Sequence, residues 1–172
     1  MPTGLYGKLP AHGDFVRRAL PDAFVEPWDA WLQQGIGAAR DALGDAFADA
    51  WATAPAWRFR LPAGACGTAG AAGVLLASED MVGRRFPLTV AALLPPGEPA
   101  PSASWYDVVE DAARAGRDSG AQADALLAGL PAEPWADADA PEPGWWMAQG
   151  GRWDLPGLPP PAQFRVLLEG GA

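Results

Sequence analysis

His12, Ser78 and either Asp14 or Asp80 have the residue types that nucleophilic hydrolysis needs: a base, a hydroxyl and a carboxylate to orient the base. The chain around them does not favour that use. Ser78 has no Gly-x-Ser-x-Gly elbow to lift its hydroxyl from a strand end, and Asp14 lies only two residues from His12. Glu79 and Asp80 offer a carboxylate pair, but neighbours on an extended chain point to opposite faces and do not converge. The glycine-rich run from Gly64 to Gly73 lacks the Gly-Lys-Ser/Thr ending of a phosphate-cradling loop and leads into a strand, so it reads as a hairpin connection. One cysteine, Cys66, and one histidine are too few for a disulfide or a structural zinc site. No catalytic residue, metal ligand or cofactor is expected, and His12 reads as an exposed turn residue.

The most specific local feature is Ser78-Glu79-Asp80-Met81-Val82-Gly83-Arg84-Arg85-Phe86-Pro87-Leu88. Here an arginine pair beside a glycine turn opens a very apolar strand. A guanidinium at this place can offer two parallel hydrogen bonds to a partner's carboxylate or phosphate, or it can tie a tight turn to Asp80. Alternation along an extended chain predicts that Arg84 and Arg85 diverge, with Arg84 locking Asp80 and Arg85 facing solvent. Ser78, Asp80, Gly83, Arg84, Arg85 and Phe86 are therefore the candidate set for partner binding or for shaping the turn.

These residues need elements to position them. Gly4–Pro10 and Gly13–Leu20 read as two strands joined by the turn Pro10-Ala11-His12-Gly13. Phe24, Trp28, Trp31, Leu32, Ile36, Ala39 and Leu43 then recur at helical spacing, with Pro27 suited to the first turn and Gly44 as the stop. A shorter helical piece covers Asp45–Thr53. Trp57–Leu61 alternates apolar and cationic residues, predicting a strand with one buried face and one wet, basic face. Gly70–Ser78 and Phe86–Leu94 are apolar enough to be central strands, with Pro87 at a strand start. A helix is expected over Ser104–Asp118 with Trp105, Val108, Val109, Ala112 and Gly116 on its buried face, then a helical piece over Ala121–Leu130. Pro131–Gly144 holds four acids and four prolines and reads as an exposed loop. Gly144–Gln149 and Phe164–Glu169 are expected as two last strands. Adjacent tryptophans at 145 and 146 should face opposite sides, leaving one as an interface candidate. The order predicts an α+β fold: a mainly antiparallel sheet covered by helices, in one domain over residues 1–172.

Charge narrows the choice of partner. Residues 1–88 carry 8 bases and 9 acids, and residues 89–172 carry 4 bases and 12 acids, for a net charge of −9. That field repels phosphate backbones and anionic lipid surfaces, so neither nucleic-acid binding nor membrane insertion is expected. No apolar run is long enough to span a bilayer, and the expected address is the cytoplasm. Eleven arginines against one lysine, with heavy Ala, Gly and Pro use, reflect a GC-rich genome and are no binding signature.

Four blocks in order, Gly7–Val16, Phe24–Leu32, Pro55–Phe59 and Ser78–Leu88, closely resemble those of the TagF family, accessory proteins of the bacterial type VI secretion system. The resemblance covers about half the chain, over residues 4–94. It implies an α-β-α fold similar to longin or profilin-like domains. It also implies a post-translational negative regulator that is linked to threonine phosphorylation and engages the forkhead-associated scaffold protein. Some members carry a metal-dependent phosphatase, whose ligand array is not recognisable here and whose activity is not transferred. A structural alternative is an assembly or stability factor for a secretion component. A third reading is a hydrolase using Ser78 and His12.

Overall fold

The computed structural model describes residues 2–171. Seven strands form one antiparallel sheet: β1 Thr3–Gly7, β2 Val16–Arg18, β3 Trp57–Leu61, β4 Gly70–Leu76, β5 Leu88–Leu94, β6 Gly144–Trp146 and β7 Arg152–Trp153. Their spatial order is β2-β1-β5-β4-β3-β6-β7. The fold is α+β. The two most apolar strands, β4 and β5, are central and pair over their full length, Gly70 opposite Leu94 through Leu76 opposite Leu88. Pro87 immediately precedes β5, where its missing N–H costs the ladder nothing.

Helices cover both faces. One face takes α1 Asp22–Leu43, α2 Phe47–Ala52 and α5 Arg165–Glu169, while α3 Ala103–Ser119 and α4 Ala123–Gly129 take the other. The α1 face is rich in aromatic residues: Phe24, Trp28, Trp31, Phe47, Trp51, Trp57, Phe59, Trp145 and Phe164 are all buried there. A buried indole N–H is costly without an acceptor, and each of the five indoles on this face has one, whereas that of Trp105 on the other face has none. Trp28 donates to Thr89 Oγ1, Trp31 to the Pro159 carbonyl, Trp51 to Ser78, Trp57 to Leu167 and Trp145 to Gly157. The α3 face is packed instead by small and branched aliphatics with Trp105 and Tyr106.

Five expectations need correction. Helix α1 begins at Asp22, so Pro27 lies inside it on the exposed side rather than in the first turn. Strand β3 has no wet face: Arg58 is buried and pairs with Asp107 at 2.8 Å and Glu110 at 2.7 Å, both on α3, and half-buried Arg60 donates to the Pro141 carbonyl. The buried stripe of α3 is Trp105, Tyr106, Val109, Glu110, Ala113 and Gly116, leaving Val108 exposed. Residues 164–169 are no strand: a 3-10 turn at Pro161–Gln163 leads into α5, which buries Phe164, Leu167 and Leu168 at helical spacing. Gly35 makes this packing possible, since a Cβ there would lie 2.3 Å from the Phe164 ring. Finally, neither tryptophan of β6 is free. Trp145 is fully buried, and Trp146 is half-buried with its ring edge-on to Tyr106 and Arg152 over it.

Candidate functional site

At one end of the sheet the chain leaves β1 through Lys8 and returns as β2, and nearby it leaves β4 and returns as β5. These two connections, residues 8–15 and 77–87, lie against each other. In the second, Glu79 and Arg85 form an isolated antiparallel bridge, and Phe86 N–H donates to the Ser78 carbonyl. Between them Asp80-Met81-Val82-Gly83 is a β-turn closed by Gly83 N–H to Asp80 C=O at 3.0 Å. Gly83 has φ +85°, a left-handed conformation that glycine takes without steric cost.

Asp80 holds the turn together. Its side chain is fully buried and accepts from Lys8 Nζ at 2.9 Å, Arg84 Nε at 2.7 Å, and the backbone N–H groups of Val82 and Arg84, each at 3.0 Å. Burial alone would raise this carboxyl, but Lys8, the two N–H donors and the Arg84 guanidinium together hold it well below the usual carboxylate range. Arg84 also donates to the Gly13 carbonyl at 2.6 Å, and Met81 N–H donates to the His12 carbonyl at 2.8 Å. Asp80 and Arg84 thus fasten the turn and clamp it to the first loop.

The remaining candidates take different places. Phe86 is buried, edge-on to Phe15, which stacks on Tyr6. Arg85 is exposed and makes no ion pair among the described residues. The Ser78 hydroxyl is buried without a hydrogen-bond partner. His12 is not a free turn residue: its Nε2 accepts from Ala123 N–H at 3.0 Å and so caps the first turn of α4. The base and nucleophile of a hydrolase are therefore not brought into hydrogen-bond contact. Burial pushes the Cys66 thiol up to about 11, which keeps it un-ionised and unreactive near neutral pH.

Sequence reasoning missed Phe15, Met81 and Val82, which are 42%, 64% and 71% exposed at this same end. A signal was available. Turn corners ordinarily take Gly, Asn, Asp or Pro for conformational reasons, and Met-Val answers none of them.

The sequence model of the TagF N-terminal domain, described as type VI secretion system-associated, matches residues 4–132. The chain belongs to this family. The TagF match takes in both loops of the site. A crystal structure of PA0076 from Pseudomonas aeruginosa PAO1 is similar throughout: 36% identity, 98% of this chain and 94% of that chain covered, with a TM-score of 0.83. No curated protein sequence matches the chain significantly. The TagF N-terminal domain is an accessory domain of the secretion system, and no described helix is long and apolar enough to cross a membrane.

Proposed function

We propose that this TagF domain is a non-catalytic, post-translational negative regulator of a type VI secretion system, acting by binding one of its cytoplasmic components. The family membership supports the association with the system. One structural observation carries the binding reading. Within the block Ser78–Phe86, the surface turn Asp80–Arg84 is held by the Asp80 carboxylate, with Arg85 left facing solvent. Such a turn presents a shape and a charge; it does not assemble an acid, a base and a nucleophile around a substrate. The forkhead-associated scaffold is the first partner to test.

Deletion of the gene in its host separates this reading from its rival. Loss of a negative regulator raises export of a secreted substrate, whereas loss of an assembly or stability factor abolishes it. Unchanged export in the deletion strain would remove both. The hydrolase reading is tested by esters and phosphoesters offered to the purified protein, with Ser78→Ala as the control; turnover abolished by that substitution would reinstate it.

A further inference from the structure

Met81 and Val82 occupy the two corners of the β-turn and are the most exposed large apolar residues among those described. Exposed apolar corners have no intramolecular reason here, because the turn is already closed by Asp80, Gly83 and Arg84 and clamped to Gly13 and His12. The turn is ordered without a partner. Little conformational freedom is left for a binding partner to remove, which is the condition under which a small apolar tip contributes most to affinity. Phe15 is a further exposed apolar residue, on the facing loop, its ring supported by Tyr6 and Phe86 with the Lys8 ammonium 5.0 Å from its centroid.

Charge says what should meet it. Lys8 is spent on buried Asp80, and Arg84 on Asp80 and Gly13. Arg85 follows at the base of the turn as an exposed guanidinium with no ion pair, in a protein whose net charge is −9. Glu79 stands opposite Arg85 in the bridge, but the two make no salt bridge. A guanidinium left unpaired in an acidic protein, beside an apolar tip, is complementary to a carboxylate on the partner.

We propose that the tip formed by Met81 and Val82 inserts into an apolar pocket of a partner protein, and that a carboxylate at the rim of that pocket pairs with Arg85. This rests on the binding reading above and adds to it the anchor residues and the chemistry of the partner.

The test uses the full chain in its host, with a photoreactive benzoylphenylalanine placed at the Val82 position and, as control, at the exposed Val108 on α3. Irradiation at position 82 is expected to yield one discrete adduct, absent from the control. Mass spectrometry of the adduct should find the cross-linked peptide apolar, with Asp or Glu nearby. Introducing Met81→Asp or Arg85→Glu should reduce the adduct at least about tenfold, the scale of one lost hot-spot contact. Replacing the partner's rim carboxylate by Lys should restore it in Arg85→Glu alone. No adduct at position 82, equal adducts at both positions, a basic target peptide, or an adduct indifferent to Met81→Asp and Arg85→Glu would each overturn the proposal. The deletion phenotype is read separately, so a strain whose export rises on deletion but yields no such adduct would retain the regulator and lose the tip.

Discussion

At one end of the sheet the turn from Asp80 to Arg84 is closed largely by its own polar atoms, whereas at the other the acidic segment 131–143 is held by bonds to distant elements. Thr3 N–H of β1 donates to Ala132 C=O, and Ser102 N–H donates to Trp135 C=O. The Trp135 indole N–H reaches Ser104 Oγ, Arg60 reaches the Pro141 carbonyl, and Arg152 reaches those of Glu142 and Pro143. Asp137–Asp139 lies between these ties, wholly exposed. A turn ordered by its own carboxylate can display an apolar surface at a set angle. A strap ordered by its neighbours covers the ends of elements and tolerates change between its ties.

The sharpest way to break that contrast is to remove the carboxylate. Asp80→Ala strands buried Lys8 and frees Arg84, and the melting temperature should fall on the order of 10 °C, the consequence expected for breaking a buried ion pair from one side. A fall below about 2 °C would mean that the turn is not held by Asp80. Next in size is Arg84→Ala, which leaves Lys8 and both N–H donors on Asp80 and should lower the melting temperature by about 3–8 °C. Arg85→Ala should melt within about 1 °C of the parent, because an exposed, unpaired guanidinium contributes little to stability. Equal melting of the two arginine variants would end the distinction between a fastening and a displayed residue.

Acid titration sharpens the same point. The Asp80 carboxyl is depressed in the folded state, so its contribution is fully present above the ordinary carboxylate value of about 4. It is lost as the pH falls below that value toward the folded one. Parent and Asp80→Asn should therefore differ in melting temperature at pH 7 and converge as the pH drops below about 4. A gap as wide at pH 2 as at pH 7 would show that the carboxylate's charge is not what holds the turn.

A similarly small effect is expected at the strap. Replacing Asp137, Ala138 and Asp139 by glycines should change the melting temperature by less than about 2 °C. Amide exchange should be fast across those residues while the Thr3 and Ser102 amides, which donate to the strap, exchange slowly. Strong protection over 137–139 would make the strap a packed element after all.

The α1 stripe, strand β3 with its boundaries, the two central strands and the hairpin into β2 were legible from sequence because local periodicity decides them. Asp80 with Arg84 was legible for a related reason: the two lie four residues apart across a glycine turn, so their pairing is local. The final helix was not. Phe164, Leu167 and Leu168 suit a short helix or a strand, and the docking site beside Gly35 chose between them. Nor could alternation in β3 reveal that Arg58 is buried, since that depends on Asp107 and Glu110 arriving from α3, some fifty residues away.

The sequence by itself determined an α+β chain with an antiparallel sheet and four family blocks in order over residues 4–94. Tertiary structure alone decided that His12 caps α4, that Lys8 neutralises Asp80 from 72 residues away, and that Phe15 of the first loop packs its ring against Phe86 of the second. Periodicity reports which side of an element is apolar. Which distant groups a side chain meets depends on strand order, and the order β2-β1-β5-β4 is what brings the two loops together.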